Sequence, residues 1–125
     1  MSAIKRDFEN QVSAKRALVA ATYTTTTTGD VIDTQEHKRG VFVITPGTRT
    51  DGTHTPSLLE SDDNSTYSAV AAADITKALV AITSNTVQAF AYQGGKRYLK
   101  LLATVGGATT GAVYSATYVG LLGRV

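Results

Sequence analysis

A chain of 125 residues has room for one hydrophobic core and not for two. Apolar residues make up 42% and charged residues 18%, which argues against disorder, and the longest apolar runs fall far short of the roughly 20 residues that cross a bilayer, so no membrane partner is expected. With no cysteine there is no disulfide and no thiolate metal site, and a net charge of +2 is too small for a phosphate-gripping face, so no direct nucleic-acid partner is expected either.

Residues 1–16 hold Lys5, Arg6, Lys15 and Arg16 against Asp7 and Glu9; beyond them the basic and acidic residues cancel. Residues 1–13 show neither strand alternation nor the apolar run of a secretory signal. Ile4, Phe8 and Val12 recur four apart, which allows a short helix with an apolar stripe, too small to hold itself folded. Such an arm either frays or orders on docking to a neighbouring subunit. The expected organisation is therefore an arm, 1–13, and a β domain, 14–125.

Ala14–Thr24 alternates as a first strand, and Thr24–Thr28 is either its extension or a stiff loop ending at Gly29-Asp30. Val31–Gln35 reads as a short edge strand, and Glu36-His37-Lys38-Arg39 as a charged turn before the next run. Val41–Thr45 is apolar on both faces, as a central strand would be, with Pro46-Gly47 expected to stop it. Thr48–Thr55 reads as a loop turning at Asp51-Gly52, a type I′ pair. Ser57–Ser61 and Thr66–Val70 form an expected hairpin over Asp62–Ser65.

Ala71–Lys77 suits one helical turn capped by Asp74 or an irregular crossover. Leu79–Thr83 and Thr86–Tyr92 read as strands about Ser84-Asn85, and Gly94-Gly95 as a turn. In Lys96–Val105, Arg97, Leu99, Leu101 and Ala103 share one face; Ala112–Gly120 is the last expected strand. About eight strands, turns roughly every ten residues and no long helix predict an all-β antiparallel β-sandwich of jelly-roll type.

The residues that could carry chemistry are few. The two histidines, His37 and His54, both fall in expected loops, and no Gly-x-Ser-x-Gly elbow accompanies them. Glu60, Asp62, Asp63 and Asn64 could offer oxygens to calcium, but lack the alternate spacing of an EF-hand and suit a β-turn instead. Gly94-Gly95-Lys96 lacks the upstream glycine and the following Ser/Thr of a phosphate loop. Tyr67, Tyr92, Tyr98, Tyr114 and Tyr118 are sugar-stacking candidates if exposed, and core or interface residues otherwise. No enzyme activity and no cofactor are expected.

At DGTHTPSLLESDDNSTYSAVAAADI (Asp51–Ile75) and GGKRYLKLLATVGGATTGAVYSATYV (Gly94–Val119) the chain resembles a family of small tailed-bacteriophage proteins, capsid-associated and decoration- or cement-like, encoded among head-morphogenesis genes. The resemblance implies a structural virion protein on the capsid surface, made in the host bacterial cytoplasm. It would bind the major capsid protein and assemble as a homo-oligomer, with a trimer favoured. Contact residues would be Ile4, Phe8 and Val12 of the arm, which lies outside the matched stretches, then Arg49, Asp51 and His54 in one loop and Thr109 and Thr110 in another. Ser61-Asp62-Asp63 with Arg97-Tyr98-Leu99-Lys100 is more weakly similar to discoidin-like galactose-binding jelly rolls, with Asn64 where a glycine is usual. The alternatives are thus a carbohydrate-binding module on the virion surface or fibre, and a head–tail connector or tail component.

Overall fold

A computed structural model describes residues 11–122. Among them are nine strands: β1 (Val12–Tyr23), β2 (Thr27–Thr28), β3 (Ile32–Asp33), β4 (His37–Arg49), β5 (Thr53–Ser61), β6 (Ser68–Ala69), β7 (Gln88–Ala91), β8 (Tyr98–Gly106) and β9 (Ala112–Leu122). Two antiparallel sheets face one another. The first runs β1-β9-β4-β7; the second runs β2-β8-β5-β6, with β3 also on β8.

Counted as one interrupted strand, β2 and β3 complete a set of nested pairs: β1 with β9, β2/β3 with β8, β4 with β7, β5 with β6. A long hairpin rolled up on itself gives this order, and two sheets so connected make the jelly roll. The expected all-β sandwich is the observed fold.

Alternation builds the core. Leu99, Leu101 and Ala103 of β8 point inward with Leu58 of β5, and meet Phe42 and Ile44 of β4 and Tyr114, Ala116 and Tyr118 of β9. Phe42 stacks on Phe90 with ring centroids 5.3 Å apart and tilts against Tyr118 at 4.8 Å. Offset and tilted contacts suit the ring quadrupoles. In β1 two irregularities in the pairing with β9, at Arg16/Leu18 and Leu18/Ala21, let the adjacent Ala17 and Leu18 both be buried.

Several local expectations change. Val12, expected on a helical stripe, begins β1 and pairs with Leu121, because a ladder satisfies its backbone; Ile4 and Phe8 lie outside the described residues. The charged turn is shorter than expected, since His37 and Arg39 already pair with Leu122 and Leu121. Nor does Pro46 end its strand. β7 pairs only with Val41–Ile44, so beyond it β4 has β9 alone as neighbour, and Pro46, opposite Tyr114, removes a donor where one flank is open.

Thr48–Thr55 is mostly strand, leaving a bend at Thr50–Gly52 that carries the chain from one sheet to the other. Gly52 takes φ +88° and Asp51 stays at negative φ, so the pair is not the expected type I′ turn. The β5–β6 hairpin forms, though β6 is only Ser68–Ala69. Ala72–Asp74 makes one 3-10 turn with no side-chain cap. Leu79–Thr83 has no ladder: Ile82 plugs the core and donates its N–H to the His54 carbonyl at 2.8 Å, while the Gln88 amide bonds both backbone groups of Val80.

Candidate functional site

The bend between β4 and β5 and the loop between β8 and β9 meet at one end of the sandwich, bringing together Arg49, Asp51, His54, Thr109 and Thr110. The Asp51 carboxylate accepts N–H bonds from Thr109 at 3.2 Å, Thr110 at 3.1 Å and Gly111 at 2.7 Å. Those amides, Gly111 first and Thr110 next, hold its carboxyl below the usual range against a smaller opposing push from burial. Gly111 sits at φ +86°, where an added Cβ would lie 2.1 Å from the Tyr23 carbonyl oxygen, so only glycine turns the loop back into β9 here.

His54 was expected in a loop and is instead an inward residue of β5, fully buried. Its Nε2 lies 3.0 Å from the Asp51 carbonyl oxygen, which can only accept, so Nε2 carries the proton. Nδ1, 3.0 Å from Tyr114 Oη, then accepts the hydroxyl proton in the neutral ring. Burial pushes the Tyr114 phenol up to about 12, and the Tyr23 ring stacks on its ring at 4.7 Å. Arg49 donates its backbone N–H to Ser84 Oγ and its guanidinium to the Gly52 carbonyl, both at 2.8 Å. A recess of about 170 Å³ opens beside it, lined by Arg49, Thr53, His54 and Ile82. The polar atoms of Asp51 and His54 are spent on the fold. What this end presents outward is the exposed rim of Arg49, Thr109 and Thr110.

The opposite end escaped sequence reasoning. There His37 packs on Tyr118 of β9, ring centroids 5.4 Å apart, over Gly120, where any Cβ would strike its ring. Its Nδ1 is buried with no hydrogen-bond partner among the described residues. Burial, then the charge of Lys15, lowers its affinity for a proton, against weaker pulls from Glu36 and Asp33. Arg97 grips Asp33 through two bonds of 2.8 and 2.9 Å and takes its carboxyl down to about 2. A recess of about 250 Å³ opens here among Ser13, Lys15, Asp33, Glu36 and His37. Strand pairing assembles this cluster from distant stretches, and no local spacing announces it.

The acidic turn is a turn. Asp63 Oδ1 accepts from Ser61 Oγ and from the amides of Ser65 and Thr66, Asp62 pairs with Lys96 at 2.7 Å, and Glu60 accepts from Tyr92 Oη at 2.6 Å. Among the described residues no His/Asp/Glu group suits a metal ion. Of the candidate tyrosines, Tyr114 and Tyr118 are core. Tyr67 and Tyr98 remain partly exposed, with Lys100 Nζ 4.5 Å from the ring centre of the former and the Arg97 guanidinium 4.9 Å from that of the latter. Among the described residues no helix is long and apolar enough to cross a membrane.

No family model matches the chain, nor does any curated protein. Among solved structures it is similar to the SPBc2 prophage-derived protein YomS, with a TM-score of 0.55 at 16% identity over 86% of this chain and 91% of that one. A second likeness, to a structure of infectious bursal disease virus, Gx strain, has a TM-score of 0.46 at 16% identity over 91% of this chain and 32% of that one, too low to bear on the fold. At these identities the likeness concerns the fold alone.

Proposed function

We propose that this chain is a non-catalytic structural protein of a bacteriophage particle, bound to the head shell as a decoration protein in contact with the major capsid protein. The observation that carries the reading is the likeness, along most of both chains, to a protein of prophage origin, which agrees with the motif resemblance at Asp51–Ile75. The geometry suits it: Asp51 and His54 stiffen one end of the sandwich, so that Arg49, Thr109 and Thr110 form a preshaped rim for docking. Each copy need add only a few kcal/mol, because many copies on a shell act together.

Quantitative mass spectrometry and imaging of purified particles test this. Copies spread over the shell in stoichiometry with the capsid subunit are expected. A few copies at one vertex or along the tail would move the protein to the connector or tail, and absence from the particle would end the reading. A glycan-binding role is less favoured, because Lys100 and Arg97 already cover the ring faces that a sugar would stack on.

A further inference from the structure

We propose that the outward face of the β1-β9-β4-β7 sheet is where a second copy of this chain packs, sheet against sheet. The inference stands whether or not the protein belongs to a virion. The register places Val41, Val43, Thr117, Val119, Ala89 and Ala91 side by side on this face. In a sheet with one solvated face, the outward positions are normally polar. Here they are apolar or small, and Val41 and Val113 are exposed at 38% and 44%. The other sheet is the internal control: its outward positions are mixed, with Leu59 and Leu102 set among Thr55, Ser57, Tyr98, Lys100 and Thr104, so its apolar residues are broken up by polar and charged ones.

Charge follows the same division. Of the described side chains on the apolar face, the charged ones are Arg39, at one end, and Arg16, on the edge strand, where it pairs with Asp30 at 2.6 Å. A charge-free centre with charges at the rim is the anatomy of a protein interface. A recess of about 250 Å³ lies beside Arg39, lined by Val12, Val41, Val119 and Leu121.

Shape and size select a second copy as the occupant. The face is a broad field of small side chains whose recess lies at the Arg39 end and not at its centre, and its complement is another such sheet, about 10 Å away. Four strands spaced about 4.8 Å apart, with about 3.4 Å rise per residue, make a face of roughly 700 Å², close to the roughly 800 Å² per partner of a stable complex. A two-fold axis through Thr117, midway along β9, would lay the Arg39 end of one copy over the Val113 end of the other and keep the arginines apart. The unit is therefore a dimer, where the motif resemblance implied a trimer.

The test uses the full chain. Sedimentation equilibrium should give twice the 13.1 kDa chain mass. Thr117→Lys and Val41→Lys, both at exposed positions, should weaken association at least about 30-fold while circular dichroism keeps the parent's β signal and unfolding stays one cooperative transition, lowered only by the association lost. The chain has no cysteine, so Thr117→Cys adds a single thiol that a bismaleimide spanning about 10 Å should join to its mate in a cross-linked dimer, whereas Thr104→Cys on the other sheet should not cross-link. A monomer at every concentration, or a dimer indifferent to both lysines, overturns the proposal. So does equal cross-linking at the two cysteines, or a dimer that is lost on deleting residues 1–10 and not on Thr117→Lys.

Discussion

The two ends of the sandwich make the same pairing, a histidine against a tyrosine of β9, and finish it differently. At one end His54 has both ring nitrogens bonded, and Tyr114, Asp51 and three loop amides close around it. At the other end His37 rests on Tyr118 with Nδ1 buried and unbonded among the described residues. The first is a lock, in which each polar group fixes another. The second trades a hydrogen bond for packing and leaves a histidine whose protonation opposes the fold.

The largest expected difference between the ends comes from their glycines. Gly111→Ala needs a left-handed backbone and drives a Cβ into the Tyr23 carbonyl, so a loss of about 3 kcal/mol or more is expected in denaturant unfolding. Gly120→Ala strikes the His37 side chain instead, which can rotate, and should cost clearly less. Equal losses would mean that the His37 end is as rigid as the other.

Removing one hydroxyl at each end sharpens the contrast. Tyr114→Phe strands buried His54 Nδ1 and should cost about 1–3 kcal/mol. Tyr118→Phe removes a hydroxyl that has no bond among the described residues and should stay within about 0.5 kcal/mol, read from the same melts.

The smallest effect is one of pH. The folded protein binds a proton at His37 less readily than the unfolded chain, so the stability this residue contributes is full above the unfolded value of about 6.5 and declines as pH falls through that value towards the lower folded one. Melting temperatures of the parent and of His37→Gln, followed from pH 8 to pH 5, should show a steeper acid decline in the parent. Parallel curves would remove His37 as the cause.

Much of the fold was legible in the sequence because inward and outward residues alternate. Lys96–Val105 and Ala112–Gly120 were readable within a residue or two; the β5–β6 hairpin was readable as a hairpin, although β5 starts at Thr53 and not at Ser57, and β6 is only Ser68–Ala69. Where reading failed, the decisive partner lay elsewhere in the chain. Pro46 reads as a stop until β7 is known to end before it, and Leu79–Thr83 reads as a strand although its chief task is to seat Ile82 in the core. TDGTHT reads as all loop because its one inward residue is a histidine, which looks polar until Tyr114 is placed beside it. The motif did single out Asp51, His54, Thr109 and Thr110, which the fold brings together; it could not say that Asp51 and His54 are spent as a brace. Val12 belongs to the opposite end and to the outer face.

The nested pairing also fixes when this protein can fold. β9 lies between β1 and β4 and carries both Tyr114 and Tyr118, so neither lock nor core can close until Ala112–Leu122 has left the ribosome. Until then β1 and β4 wait without their shared neighbour, as exposed edges prone to pairing with other chains. With contacts this remote along the chain, folding belongs to the slow class of milliseconds to seconds, and a cell making many copies at once meets its greatest aggregation risk in that interval.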